Sequence, residues 1–102
     1  MIRHTVVFKL KEQISPLEEQ EFFLAMKKLT SIPGVQKFEC LKQISKKNNF
    51  AFGNSMEFES DEVYEQYNHH PTHIHFVQQY WLKDVDDFLE LDFQLGASSK
   101  II

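Results

Sequence analysis

The sequence predicts an α+β fold in which a four-stranded antiparallel sheet carries two helical regions on one face, in the order β-α-β-β-α-β. Three observations predict it. Apolar and polar residues alternate with period two near both ends of the chain and through its middle. Two strong helix starts, Ser15-Pro16 and Ser60-Asp61, fall between those alternating stretches. A polar run, Ser45-Lys-Lys-Asn-Asn49, separates the two central stretches as a hairpin turn.

From Ile2 to Lys11 the residues Ile2, His4, Val6, Phe8 and Leu10 fall on one face, which places His4 among core residues. Ser15, Pro16 and Glu18 then form an N-cap, a first helical residue and the far side of a capping box. Phe22, Met26, Leu29 and Ile32 recur at helical spacing as the buried stripe, with Phe23 beside it at a pocket edge. Pro33-Gly34 ends the helix. Val35–Ile44 reads as a strand with Phe38 and Cys40 facing inward, and Phe50–Glu59 alternates again, with Phe50, Phe52, Asn54, Met56 and Phe58 on one face. Ser60 caps a second helix running to about Asn68, a break follows, and Pro71 starts the helix again. Phe88–Leu95 is the last strand, with Leu89, Leu91, Phe93 and Leu95 sharing a face. This order is that of the ferredoxin-like fold. The domain is expected over residues 1–95, followed by a tail at 96–102.

The sheet face turned away from the helices is expected to carry Thr5, Val7, Ala51, Gly53, Ser55 and Phe88, with Lys9, Glu57, Glu90 and Asp92 as its charges. Small and apolar residues at its centre suit a covered surface, and a second copy of the chain is the simplest cover.

At 102 residues the chain is long enough for one core, and 42% hydrophobic against 25% charged residues suits a globular domain. Ten phenylalanines point to a ring-rich core, pocket or interface. A formal net charge of −4 with no basic stripe argues against a nucleic-acid partner. No apolar run approaches a membrane span and no export signal precedes the first strand, so no membrane partner is expected. The single Cys40 excludes an intrachain disulfide, suits a reducing compartment and reads as a small buried hydrophobe; the cytoplasm is the expected location.

Tyr67-Asn-His-His-Pro-Thr-His-Ile-His-Phe76 holds four of the five histidines. With Pro71 at the first helical position, His70 becomes the N-cap and His73 lies in the first turn. The positive end of the helix disfavours imidazolium there and leaves His73 a neutral base or acceptor. His69 and His75 read as surface residues. Pro71 disrupts helical spacing between His69 or His70 and His73, and no Cys or acidic residue completes a ligand set, so neither metal nor organic cofactor is expected.

The chain resembles the stress-responsive dimeric A/B barrel (Dabb) family. The resemblance rests on Ile2-Arg-His-Thr-Val-Val-Phe-Lys9, Ile32-Pro-Gly-Val35, Met56-Glu-Phe-Glu-Ser60, Tyr67-x-x-His70-Pro-x-His73 and Phe88-Leu-Glu-Leu-Asp-Phe93, of which the His-Pro-x-His element is the most specific. It implies a homodimeric α+β barrel built through the open sheet face. It also implies a pocket in which His73 and Tyr67 occupy the catalytic positions of cofactor-free cyclases and His4 that of a pocket histidine. Phe23 matches a ring of their hydrophobic pocket, and His70 and Phe76 join it as binding candidates. Asn68, His69 and Thr72 depart from the cyclase-like pattern and suggest a different ligand. Two functions follow. One is a dimer of unassigned role with a His/Tyr pocket for a small, partly apolar ligand. The other is a cofactor-independent acid–base enzyme, cyclase-like or a lyase, using His73 and Tyr67.

Overall fold

The computed structural model describes residues 1–96. Strand β1 (Ile2–Leu10) leads to helix α1 (Pro16–Lys27), which tightens into a 3₁₀ turn over Lys28–Ser31. Strands β2 (Gln36–Lys42) and β3 (Phe52–Phe58) form the central hairpin. Helices α2 (Asp61–His69) and α3 (Pro71–Phe76) follow; α3 widens into a π turn over Val77–Trp81 and ends in the short α4 (Leu82–Asp84) before β4 (Val85–Gln94). The sheet is antiparallel in the order β2-β3-β1-β4. This is the expected ferredoxin-like arrangement. Of the expected tail at 96–102, only Gly96 is described; residues 97–102 lie outside the described residues.

The helix starts follow their sequence signals. Ser15 Oγ accepts from the Glu18 amide while Glu18 Oε1 accepts from the Ser15 amide, closing the capping box. Ser60 Oγ accepts from the Val63 amide in the same way. The turn into β2 needs Gly34: its φ is +92°, and a Cβ there would come within 2.3 Å of Val63 Cγ1.

Between the sheet and the helices lies a core of Phe8, Phe22, Met26, Leu29, Ile32, Met56, Phe58, Tyr67 and Phe76. Phe8 is fully buried at its centre, with Phe22, Phe52 and Trp81 rings at 5.7, 5.7 and 5.1 Å. Such tilted rings bury much apolar area in few residues.

Three expectations need correction. First, β4 begins at Val85 rather than Phe88, and its two faces are exchanged. Phe8 pairs with Phe88, Val6 with Glu90 and His4 with Asp92, so these β4 residues face the helices. Leu89, Leu91 and Phe93 pair with Val7, Thr5 and Arg3 on the open face and are 49%, 40% and 50% exposed. The period-two pattern is the same whichever face is buried, and here the more apolar face is the one the helices leave bare. Second, Cys40 is exposed. It pairs with Asn54 and so shares the helix side, but β2 is an edge strand that the helices do not cover. Third, β2 runs only from Gln36 to Lys42 rather than Val35–Ile44, and its register shifts between Gln36 and Glu39, where Lys37 takes a left-handed φ of +49°.

Candidate functional site

A cavity of about 250 Å³ opens between the helix-covered face of the sheet and the helices. Its sheet side is built by His4 and Val6 from β1, Asn54 from β3, and Phe88 and Glu90 from β4. Its helical side is Met26 from α1, Leu29 from the 3₁₀ turn, Tyr67 from α2, and His73, Phe76, Val77, Trp81 and Leu82 from the broken helical region. The sheet wall carries His4, Asn54 and Glu90, and the helical wall is apolar except for Tyr67, His73 and the indole N–H of Trp81.

His73 reaches the cavity because Pro71 restarts the helix. The chain turns at His70, whose extended backbone separates α2 from α3 and sets His73 over Tyr67. The two rings lie 4.5 Å apart. His73 Nδ1 donates to the Asn68 carbonyl at 3.1 Å. A carbonyl can only accept, so Nδ1 carries the proton and the neutral ring keeps its lone pair on Nε2. Burial holds the His73 pKa below the usual histidine value and nearby His4 pushes the same way, against the opposing pull of the Asn68 carbonyl and Glu90. The result is a neutral imidazole at neutral pH with one basic nitrogen.

Tyr67 is 2% exposed. Burial, reinforced by Glu90, pushes its phenol pKa up, so it remains a proton-bearing hydroxyl. His4 is held on the sheet wall, on the same face as its partners. Its Nδ1 donates to Asp92 Oδ1 at 2.7 Å, and the Tyr64 hydroxyl lies 2.8 Å from the same nitrogen while donating to both Asp92 oxygens at 3.1 and 3.0 Å. A carboxylate on Nδ1 sets the ring orientation and places the second nitrogen, Nε2, 3.9 Å from Glu90 Oε1. His4 is therefore satisfied by a carboxylate.

Of the six residues singled out from the sequence, His4, Tyr67, His73 and Phe76 converge on this cavity. Two do not line it. His70 spends its Nδ1 on accepting from the Thr72 amide at 3.1 Å, which caps α3. Phe23 turns to the outer flank of α1, into a separate groove with Phe38 and Cys40, its ring 4.9 Å from Phe52. His69 is exposed and bonds back to Glu65 within α2. Among the described residues no three His, Cys, Asp or Glu side chains converge as a metal-binding set.

Four site residues escaped the sequence reading: Tyr64, Asn54, Glu90 and Asp92. Asp92 and Glu90 were hidden by the exchanged faces of β4. A histidine on an apolar strand face needs a partner, and that need was the available signal for an acid on a neighbouring strand. Asn54 was visible as the one amide on an otherwise apolar strand face.

The fold and this cavity together define an α+β ferredoxin-like protein with a His/Tyr site between sheet and helices. The stress responsive A/B barrel domain matches residues 2–95, and the chain belongs to that family. A Dabb family protein of ferredoxin-like fold from Mesorhizobium loti is 49% identical, with a TM-score of 0.86 over 93% of this chain and 97% of that one. Olivetolic acid cyclase from Cannabis sativa is 29% identical over 83 residues, which are 78% of this chain and 82% of the cyclase. A dimeric ferredoxin-like protein of unknown function from Thermobifida fusca shares the fold at 20% identity, with a TM-score of 0.79 over 92% of this chain and 90% of that one.

Proposed function

We propose that the cavity binds a small, partly apolar carbonyl compound and that His73 acts on it as a general base, within a homodimer built through the open sheet face. One observation carries the chemistry. His73 is fixed in the Nδ1–H tautomer, kept neutral by burial, and packed with a tilted ring against a buried phenol. A base poised this way can take a proton from a carbon beside a carbonyl, and Tyr67 can donate to the oxygen that gains charge. The olivetolic acid cyclase relative supports chemistry at this cavity; its substrate is not carried over.

The test is substitution at the base. In His73→Gln the fold and dimer should persist while turnover of an activated carbonyl substrate falls by about 10²–10⁴-fold, the usual worth of a positioned base. Tyr67→Phe should reduce turnover less. His69→Gln should leave it unchanged, because that ring lies on the surface. Full turnover in His73→Gln would defeat the catalytic reading.

The dimer rests on Leu41, Leu89, Leu91 and Phe93, each at least 40% exposed on one sheet face around Val7. A contiguous apolar face of this kind marks an association surface. That the Thermobifida fusca protein of the same fold is dimeric supports a dimer.

A further inference from the structure

Val6 is flanked across the sheet by Asn54 on β3 and Glu90 on β4, and all three side chains line the cavity. Asn54 is only 4% exposed, yet its Nδ2 has no hydrogen-bond partner among the described residues. Buried amides in folded proteins are nearly always satisfied, so an orphaned one on a cavity wall is aimed at something the cavity takes in. An oxygen acceptor is what an amide donor requires. At the other end of the row, Glu90 is the one Asp, Glu, Lys or Arg among the cavity's lining residues. Its carboxylate offers only acceptors, to His4 Nε2 at 3.9 Å and to whatever donor enters beside it. No lysine or arginine stands on the lining to welcome an anion. Two strand spacings, about 10 Å, separate the two positions, a span one small molecule can bridge. Opposite them Met26, Leu29 and Phe76 offer only apolar surface.

We propose that Asn54 and Glu90 set the ligand's chemistry: a neutral carbonyl compound that also bears a hydroxyl, its carbonyl oxygen taken by the Asn54 amide and its hydroxyl by Glu90, with carboxylates turned away. This rests on the cavity being a site for small carbonyl compounds and adds which ones it selects.

Three probes of one size separate the terms: para-hydroxyacetophenone, para-ethylphenol, which lacks the carbonyl, and para-hydroxybenzoate, which is anionic. Each is titrated into the full chain and followed by amide proton–nitrogen NMR. The ketone should bind about tenfold or more tighter than the benzoate. Asn54→Leu should bring the ketone down to the affinity of the ethylphenol, and Glu90→Gln should narrow the gap between ketone and benzoate. Thermal melting verifies that each variant is folded, and Asn54→Ser serves if the leucine variant is not. A benzoate that binds the unmodified protein as tightly as the ketone overturns the inference. So does a preference for the ketone over the ethylphenol that survives loss of the Asn54 amide. If all three probes bind alike, the cavity stands as a ligand site and only the selection by Asn54 and Glu90 falls. If none perturbs the resonances of cavity residues, both fall together.

Discussion

His73 ties the chemistry of the cavity to the stability of the fold. Its folded pKa is lowered, chiefly by burial, from an unfolded value of about 6.5. In the window between the two, the unfolded chain binds more protons than the folded one, so stability rises with pH there. The contribution is therefore complete above about pH 6.5 and is lost as the pH falls below it towards the folded pKa. Melting temperatures of the unmodified protein between about pH 5 and 7 should climb with pH, and His73→Gln should flatten part of that slope. An unchanged slope in the variant would mean that the ring is not held neutral. Activity should follow the same group: its acid limb should sit below the value for a free imidazole, because the base is already unprotonated there. The placement of these residues was largely legible beforehand. Pro71 and the spacing Tyr67-x-x-His70-Pro-x-His73 were enough to place His73 in the first turn and Tyr67 one turn before the break. His70 was legible as a cap but not as a non-participant, since a cap's side chain can serve the backbone or the cavity and only geometry decides. Phe23 was ambiguous for a like reason: neighbouring positions on one helix point about 100° apart, and the flank it faces depends on where the sheet ends.

Among the elements, those with local signals came out as read and those decided by tertiary context did not. The N-caps, the capping box and the prolines act within four residues, so Ser15 and Ser60 mark helix starts unaided. Strand β4 has no such signal. Its alternation fixes two faces but not which one meets the helices, and a slip of one residue exchanges them all. The exchange carried Asp92 and Glu90 into the site, where Asp92 orients His4. Gly34 belongs at this scale too, because it lets the chain pass from the end of α1 into β2 against α2. Gly34→Ala meets both a left-handed backbone and a Cβ–Cγ contact of 2.3 Å with Val63. It should destabilise by about 1–3 kcal/mol in urea unfolding, the typical strain for a side chain in that region. If Val63 is shortened to Ala in the same chain, part of that loss should return, since the clash but not the backbone strain is relieved.

At the scale of the whole molecule, the sheet separates two functions. One face carries the cavity under the helices; the other carries Val7, Leu89, Leu91 and Phe93, the surface proposed to meet a second copy. This separation predicts that association and ligand binding can be broken independently. Val7 pairs with Gly53 and Leu89, and Leu91 with Thr5, so both positions lie near the middle of the open face. A carboxylate placed there would be desolvated in the dimer without a partner, at a cost of several kcal/mol, enough to weaken association by roughly two orders of magnitude or more. Within one protomer the same carboxylate faces water, so the fold should tolerate it. Val7→Asp and Leu91→Asp should therefore elute as folded monomers in size exclusion with light scattering at concentrations where the unmodified chain is a dimer. Both should still bind the ketone probe, because Val6 and Glu90, their chain neighbours, point to the opposite side. A dimer that survives both substitutions would place the interface elsewhere. Loss of ligand in a folded monomer would show that the partner subunit shapes the cavity, although no open-face residue lines it.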